Sequence, residues 1–148
     1  MNEVFMKEAI KLAKKASFKN EVPVGAVIIL NNKIIAKAYN KKESTKCCIN
    51  HAEIIAIKKA TKKLKNWRLV DCELYVTLEP CPMCASAIKQ SRISKVYCGL
   101  EKNDLRNQEI IKKIFTVDKT NPSVEYKAGY FNEEILKIMS LFFKNKRP

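Results

Sequence analysis

Short apolar runs alternate along this chain with segments of helical period, and this alternation restricts the possible folds more than any other feature. Residues 2–19 keep apolar side chains on one face and lysines elsewhere, which predicts an amphipathic helix. Asn31-Asn32 separates two strand-type runs and predicts a hairpin turn. Strands are predicted at 24–30, 33–39, 74–78, 95–98 and 124–128, and helices at 2–19, 52–64, 84–90, 105–115 and 133–144. This order predicts an α/β fold with a mainly parallel or mixed sheet and helices on both of its faces.

Two details of this assignment concern the loop before residue 51 and the last helix. Residues 40–50 are polar and are predicted to form a loop. In the last helix, the periodicity predicts that the apolar residues face inward. These are Ile135, Leu136, Ile138, Met139 and Phe142.

The length and composition are typical of one globular domain. The chain has 148 residues, 47% of them apolar, so residues 1–148 are predicted to form a single domain with one core. No stretch approaches the roughly 20 apolar residues that span a bilayer. The first residues lack the basic start and apolar run of a secretory signal. We therefore expect a cytoplasmic protein with no membrane segment.

The net charge of +14 indicates either a polyanionic partner or a compositional bias. A strongly basic chain is typical of proteins that bind nucleic acid. All but four of the 29 basic residues are lysine, however, whereas dedicated phosphate sites more often use the forked guanidinium of arginine. Charge alone leaves both interpretations open.

A histidine and a cysteine pair carry the strongest chemical signal. Cys81 and Cys84 form a C-x-x-C pair at the predicted start of one helix, and His51 stands at the predicted start of another. Zinc favours imidazole and thiolate ligands in a tetrahedral site, and a helix N-terminus favours thiolates. His51 is the only histidine of the chain, and Glu53 follows it by two residues. The spacing therefore predicts a zinc site made of His51, Cys81 and Cys84.

Three protein ligands leave a fourth position for water, which is the arrangement of a catalytic zinc site. Zinc lowers the pKa of a bound water toward about 7. A carboxylate such as Glu53 can then carry protons from the water to a ring nitrogen and to a leaving amine. We predict that Glu53 is the catalytic proton shuttle of a hydrolytic enzyme.

Two alternatives use the same cysteines. Cys48 precedes His51 by three residues, and a closed site of Cys48, His51, Cys81 and Cys84 would be structural and inert. A thioredoxin-type redox role for the C-x-x-C pair would explain neither His51 nor Glu53. Counting the sulfurs bound to the metal distinguishes the closed site from the open one.

The same residues match a known signature. His51-Ala52-Glu53 followed by Pro80-Cys81-Pro82-Met83-Cys84 fits the H-x-E…P-C-x-x-C pattern of zinc-dependent nucleobase deaminases. Beyond this pattern, the chain resembles the bacterial tRNA-specific adenosine deaminases of the cytidine deaminase superfamily. The resemblance covers nearly the whole chain. It is carried by E-V-P-V-G-A-V at 21–27, N-W-R-L at 66–69, L-Y-V-T-L-E-P-C-P-M-C-A at 74–85, S-R-I at 91–93 and F-F at 142–143.

This resemblance implies a three-layer α/β/α fold of the cytidine deaminase type with a central five-stranded mixed sheet, a homodimer and one zinc ion per subunit. It implies hydrolysis of adenosine to inosine at the wobble position of a tRNA anticodon loop, with attack of water on C6 and loss of ammonia. His51, Cys81 and Cys84 match the zinc ligands of the family, and Glu53 matches its proton donor. The substrate contacts that the resemblance implies are Asn40, Pro23, Val24, Gly25, Ala26, Phe142 and Phe143.

The sequence departs from this family after the fourth predicted strand. The family usually reads Gly-Ala, a variable residue and then Asp, whereas this chain reads Gly99-Leu100-Glu101-Lys102. The departure leaves the zinc chemistry unchanged and concerns substrate contacts. Two other functions therefore stay open, namely a deaminase of a free base or nucleoside, such as cytosine or guanine, and a non-catalytic protein that binds zinc or RNA.

Overall fold

The computed structural model describes residues 1–116 and 122–146, which form six helices and five strands. In chain order these are α1 (Glu3–Phe18), β1 (Gly25–Leu30), β2 (Lys33–Tyr39), α2 (Lys42–Thr45), α3 (Ala52–Leu64), β3 (Glu73–Leu78), α4 (Pro82–Gln90), β4 (Lys95–Leu100), α5 (Leu105–Thr116), β5 (Glu125–Ala128) and α6 (Asn132–Lys146). None of these helices is long and apolar enough to cross a membrane.

The strands form one mixed sheet in the order β2-β1-β3-β4-β5. β1 is antiparallel to both of its neighbours, whereas β3, β4 and β5 run parallel to one another. Asn31 and Asn32 both have positive φ, as a tight two-residue hairpin turn requires. The predicted sheet of five strands and the predicted hairpin are confirmed.

Helices cover both faces of the sheet because the side chains of the central strands alternate between two apolar cores. Along β1, Ala26 and Ile28 belong to the larger core, which also contains residues of α3, α4 and α5. Val27 and Ile29 point the other way and belong to the smaller core, with residues of α1 and α6. The three-layer α/β/α architecture is therefore confirmed.

The starts or ends of several strands lie at one edge of the sheet. β3 and β4 are parallel, so Leu78 and Leu100 end side by side. β1 begins at the same edge because it is antiparallel to β3, with Ala26 opposite Val76. In open α/β sheets, ligands bind in the crevice outside the carboxyl ends of the strands. This edge is therefore where the fold places a site.

Gly25 lies where α1 crosses the start of β1 at short range. A Cβ at this position would overlap the backbone oxygen of Ala9 and lie 2.7 Å from the backbone nitrogen of Ala13. Both atoms belong to the helix backbone, which cannot rotate away as a flexible side chain can. Glycine is therefore required here for the packing of α1 on the sheet.

Two sequence-based expectations differ from the structure. The polar segment 40–50 contains the short helix α2, because the buried side chain of Glu21 accepts hydrogen bonds from its first backbone N–H groups. Leu136 was expected to face inward, which is wrong: it is 53% exposed, whereas its neighbour Ile135 is buried. α6 contacts the sheet along a narrow stripe, and Leu136 lies outside that stripe.

Candidate active site

Three side chains of the kind that bind metal ions converge from the starts of two helices. His51 is the N-cap residue of α3, and Cys81 is the N-cap residue of α4. Pro82 occupies the first turn of α4, where a missing N–H costs no hydrogen bond. Cys84 lies one turn inside α4 and is fully buried. The two helix starts thus bring together residues that are 30 and 33 positions apart in sequence.

The geometry of these donors fits a tetrahedral metal ion. His51 Nδ1 lies 3.7 Å from Cys81 Sγ and 3.5 Å from Cys84 Sγ. All three donor atoms lie within 4.8 Å of one another. Ligand bonds of about 2.0 Å to nitrogen and 2.3 Å to sulfur at a tetrahedral angle place N and S about 3.5 Å apart. The three side chains could therefore hold one metal ion.

Cys48 does not belong to this group. Within residues 1–116 and 122–146, His51, Cys81 and Cys84 form the only set of three or more such donors that converges on one point. Cys48 is a free and exposed thiol. The placement favours a site with three protein ligands over the closed site with four.

The thiols of Cys81 and Cys84 affect each other's ionisation. A hydrogen bond from the Cys84 thiol, with the backbone N–H groups of Cys84 and Met83, lowers the pKa of the Cys81 thiol to about 5. The same hydrogen bond, which uses the Cys84 proton, and burial raise the pKa of the Cys84 thiol. A divalent cation would displace that proton, since metal-bound cysteines are thiolates.

Glu53 lies in the first turn of α3, two residues after His51, and only 4% of it is exposed. Burial raises the pKa of the Glu53 carboxyl to about 7, and the negative charge of Cys81 acts in the same direction. A proton carrier is most effective when its pKa lies near the working pH. Glu53 is not one of the three converging donors. Its position therefore suits proton transfer beside the metal.

These groups face a cavity of about 230 Å³ at the edge of the sheet where β3 and β4 end. Pockets that enclose a drug-sized ligand measure roughly 300–1,000 Å³. The cavity is therefore suited to a small group, or to one part of a larger molecule. The side chains around it belong to Val22, Val24, Asn40, Lys42, His51, Glu53, Leu78, Glu79, Cys81 and Lys102.

Asn40 joins the cavity wall to the start of α3. Its Oδ1 accepts a hydrogen bond from the backbone N–H of Ala52 at 2.8 Å. Its own backbone N–H donates to Val24 O at 3.2 Å. Because the side-chain oxygen is used by α3, the side-chain NH₂ group is the part of Asn40 that can donate to a bound molecule.

Glu79 is a cavity residue to which the sequence analysis assigned no role. It is 2% exposed, and burial raises the pKa of its carboxyl. Asn107, from the first turn of α5, donates to Glu79 Oε2 at 2.6 Å and to Pro80 O at 3.3 Å. These bonds tie α5 to the segment that carries Cys81. The only available sign in the sequence was an acidic residue at the end of an apolar strand.

The residues expected to contact substrate are divided between three places. Val24 and Asn40 line the cavity beside Glu53. Pro23, Gly25 and Ala26 are buried and, in the part of the chain that is described, do not line it; Gly25 faces α1 and Ala26 faces the larger core. Their assignment to substrate binding stays a prediction.

Phe142 and Phe143 line a second cavity, of about 420 Å³, between α2 and the end of α6. Their rings lie edge to face, 5.2 Å apart, and Phe143 is 44% exposed. The two cavities share Val22, Asn40 and Lys42 on their walls. The phenylalanines therefore lie beside the cavity of Glu53 and not in it.

The family model for MafB19-like deaminases matches residues 1–147 of this chain. The tRNA-specific adenosine deaminase of Bacillus subtilis (strain 168) is 43% identical over 146 residues, which is 99% of this chain and 91% of that protein.

Two solved structures extend the likeness to three dimensions. One comes from a study of adenosine-to-inosine editing by tRNA deaminases at the wobble position. Its sequence is 33% identical to this chain, and the two structures superpose with a TM-score of 0.83. The match covers 93% of this chain and 99% of the other chain. The other is the guanine deaminase of Bacillus subtilis, which is 32% identical to this chain and has a TM-score of 0.68. The match covers 98% of this chain and 95% of the other chain. The chain therefore belongs to the MafB19-like deaminase family and, by its likeness to the Bacillus subtilis protein, to the family of the tRNA-specific adenosine deaminases.

Proposed function

We propose that residues 1–148 form a single zinc-dependent deaminase domain that hydrolyses adenosine to inosine at the wobble position of tRNA. The observation that carries this proposal is the buried carboxylate of Glu53 in a small cavity beside the converging donors of His51, Cys81 and Cys84. The named activities of the Bacillus subtilis relative and of the solved wobble-position deaminase support the choice of substrate.

His51 Nδ1, Cys81 Sγ and Cys84 Sγ would hold one zinc ion per chain. Among the common biological divalent ions, zinc is well suited to a donor set of one imidazole and two thiolates. When bound, zinc supplies a Lewis acid that makes a water molecule more acidic.

Glu53 carries out the proton transfers of the reaction. Its carboxylate takes a proton from the attacking water and passes it to the ring nitrogen next to C6. It then takes the remaining proton from the oxygen added at C6 and delivers it to the amino group, which leaves as ammonia while C6 becomes a carbonyl. A positioned group of this kind contributes roughly 10²- to 10⁴-fold in rate. Glu53 is 4% exposed, so few water molecules can reach its carboxyl.

The size of the cavity suggests that only the base of the substrate enters it. A base reaches such a site when it is turned out of its stack, and the cost is lowest in a single-stranded loop. The NH₂ group of Asn40 is placed to donate to the entering nucleotide. Phe142 and Phe143 in the second cavity offer aromatic surface to a neighbouring base.

The remaining parts of the proposal concern location and assembly. We place the protein in the cytoplasm, where tRNA is found, and infer a homodimer from the resemblance to the tRNA-specific adenosine deaminases. The net charge of +14 suits a polyanionic substrate.

A second candidate is deamination of a free base such as guanine. The likeness to the guanine deaminase of Bacillus subtilis favours it, at 32% identity and a TM-score of 0.68. The metal ligands and Glu53 would serve this reaction equally well. A free base carries no phosphate, however, so it would not use the positive charge of this chain.

One experiment distinguishes these functions. The zinc-loaded protein is incubated with an anticodon stem-loop and, separately, with adenosine, guanine and cytosine. We expect inosine only from the stem-loop that carries adenosine at the wobble position, measured by mass spectrometry of the digested RNA. The matched control is a stem-loop with cytidine at that position and adenosine elsewhere in the loop. RNA affinity should fall about tenfold or more between 50 and 200 mM salt, which is the loss expected for about three phosphate contacts. Turnover of free guanine or cytosine without inosine in the stem-loop would contradict the proposal.

A further inference from the structure

We propose that Lys102 and Lys42 form a phosphate-binding rim on opposite sides of the cavity mouth. This rim would hold the backbone of the nucleotide whose base enters beside Glu53, and so would select a polynucleotide over a free base. The inference rests on the proposed function, since it names how the same site recognises its substrate class.

Lys102 belongs to the segment between β4 and α5. β4 ends at Leu100, beside the end of β3, so the chain leaves the sheet at the edge where the cavity lies. Lys102 is an exposed residue that also lines the cavity containing Glu53 and His51. Its ammonium is close enough to act on the buried carboxyl of Glu79, whose pKa it tends to lower.

Several hydrogen bonds hold this segment in place. Gln108 Nε2 donates to the backbone oxygen of Lys102 at 2.9 Å. Asp104 Oδ1 accepts from the backbone N–H groups of Arg106 and Asn107 at 3.1 and 3.3 Å, which caps the start of α5. Asn107 in turn is bound to Glu79. The start of α5 thus fixes the backbone of Lys102 relative to the catalytic segment.

Lys42 approaches from the other wall of the cavity. It is the first residue of α2, and both cavities include it in their lining. Glu21 accepts from the backbone N–H groups of Glu43 and Ser44 at 2.9 and 2.7 Å, and this anchors α2. The Glu21 carboxylate is 1% exposed and is occupied by these bonds, so it does not pair with Lys42.

Neither rim lysine has an ion pair within residues 1–116 and 122–146. Each ammonium can therefore accept an anionic ligand without breaking an existing pair. Deeper in the cavity, the carboxyls of Glu53 and Glu79 are buried. When these carboxyls are ionised they would repel a phosphate group, whereas the lysines at the mouth would attract it. The charges thus favour a neutral base inside and a phosphodiester at the rim.

This charge arrangement distinguishes two substrate classes. A nucleotide within an RNA chain carries a phosphate on each side of its sugar, and lysine binds such groups as a mobile point charge. A free base or nucleoside has no phosphate and gains nothing from the rim. Lys102 and Lys42 would therefore be specificity-determining residues that act mainly on substrate binding.

The test compares Lys102→Ala, Lys42→Ala and the double variant with Lys33→Ala. Lys33 is an exposed lysine at the hairpin end of β2, opposite Leu30, and strand geometry places it about 20 Å from the cavity edge. Turnover of the wobble-adenosine stem-loop and its direct binding are measured at several salt concentrations. Zinc content and melting temperature are checked for each variant.

We expect each rim variant to raise KM for the stem-loop by about 3- to 10-fold with little change in kcat. The slope of log affinity against log salt should become shallower by about 0.7 to 1 per lysine removed. Lys102→Arg should keep most of the affinity. Rim variants that behave like Lys33→Ala in both KM and salt slope would overturn the inference.

The two proposals fail in different ways in this experiment. If the unaltered protein forms no inosine, the proposed function fails, and the binding slopes still decide whether the rim binds phosphate. If the unaltered protein forms inosine but the rim variants match Lys33→Ala, only the rim inference fails.

Discussion

Glu53→Gln will lower kcat for inosine formation by roughly 10²- to 10⁴-fold, and the protein will still bind one zinc ion per chain. The amide has the shape of the carboxyl but cannot take a proton from water or return it to the ring nitrogen. Zinc binding should persist because Glu53 is not one of the three converging donors. Single-turnover assays with the stem-loop and elemental analysis of the purified protein measure the two quantities.

The matched control for this change is Glu73→Gln. Glu73 begins β3 at the opposite end of the sheet from the cavity, so its amide should leave both turnover and zinc content unchanged. Turnover near the normal rate in Glu53→Gln would contradict the role of Glu53 as the proton carrier. Loss of zinc in that variant would instead make Glu53 a ligand.

Cys84→Ser will reduce the bound zinc far below one ion per chain and will remove activity with it. Cys84 Sγ lies 3.5 Å from His51 Nδ1 in a fully buried position, and a serine hydroxyl there does not ionise to replace a thiolate. Activity should fall by more than about 100-fold, since loss of an outer partner of a metal ligand already costs about 10- to 100-fold. Zinc content and inosine formation are measured on the same preparation.

Cys48→Ser provides the contrast, because Cys48 is the cysteine that a closed site would require. Its thiol is exposed and lies apart from the three donors, so this variant should keep both zinc and activity. Equal zinc loss in Cys48→Ser and Cys84→Ser would contradict the three-ligand site.

The layered fold could be predicted from the sequence because its signals are local. The apolar run that became β1 is buried from Gly25 to Ile29, which is typical of a central strand covered on both faces. The Asn31-Asn32 pair supplied the turn with positive φ, and Pro82 marked the start of α4. Each of these features depends on a few neighbouring residues.

The helix α2 could not be predicted in the same way, because its stabilising contact is remote. No residue of 41–45 provides a side-chain cap; the cap comes from Glu21, about 22 residues earlier in the chain.

The exposure of Leu136 could not be predicted from helical periodicity alone. Periodicity placed it on the inner face of α6, but only the packing of α6 on the sheet decides how wide that face is.

The residues of the candidate site could likewise be predicted only in part from the sequence. His51, Glu53, Cys81 and Cys84 could be singled out because each metal-binding or acid–base residue lies next to a helix start with a recognisable local pattern. Glu79 could not, because its importance arises from a hydrogen bond to Asn107, 28 residues away. Lys102 was visible as a departure from the family, but its place on the cavity wall required the structure.

X-ray absorption at the zinc edge of the purified, zinc-loaded protein tests the account most directly, because an open metal site is the condition for any hydrolysis here. We expect two sulfur ligands per zinc, from Cys81 and Cys84, with the remaining ligands being nitrogen or oxygen. A spectrum that requires three sulfurs would show a closed site, and the proposed deaminase activity would be contradicted.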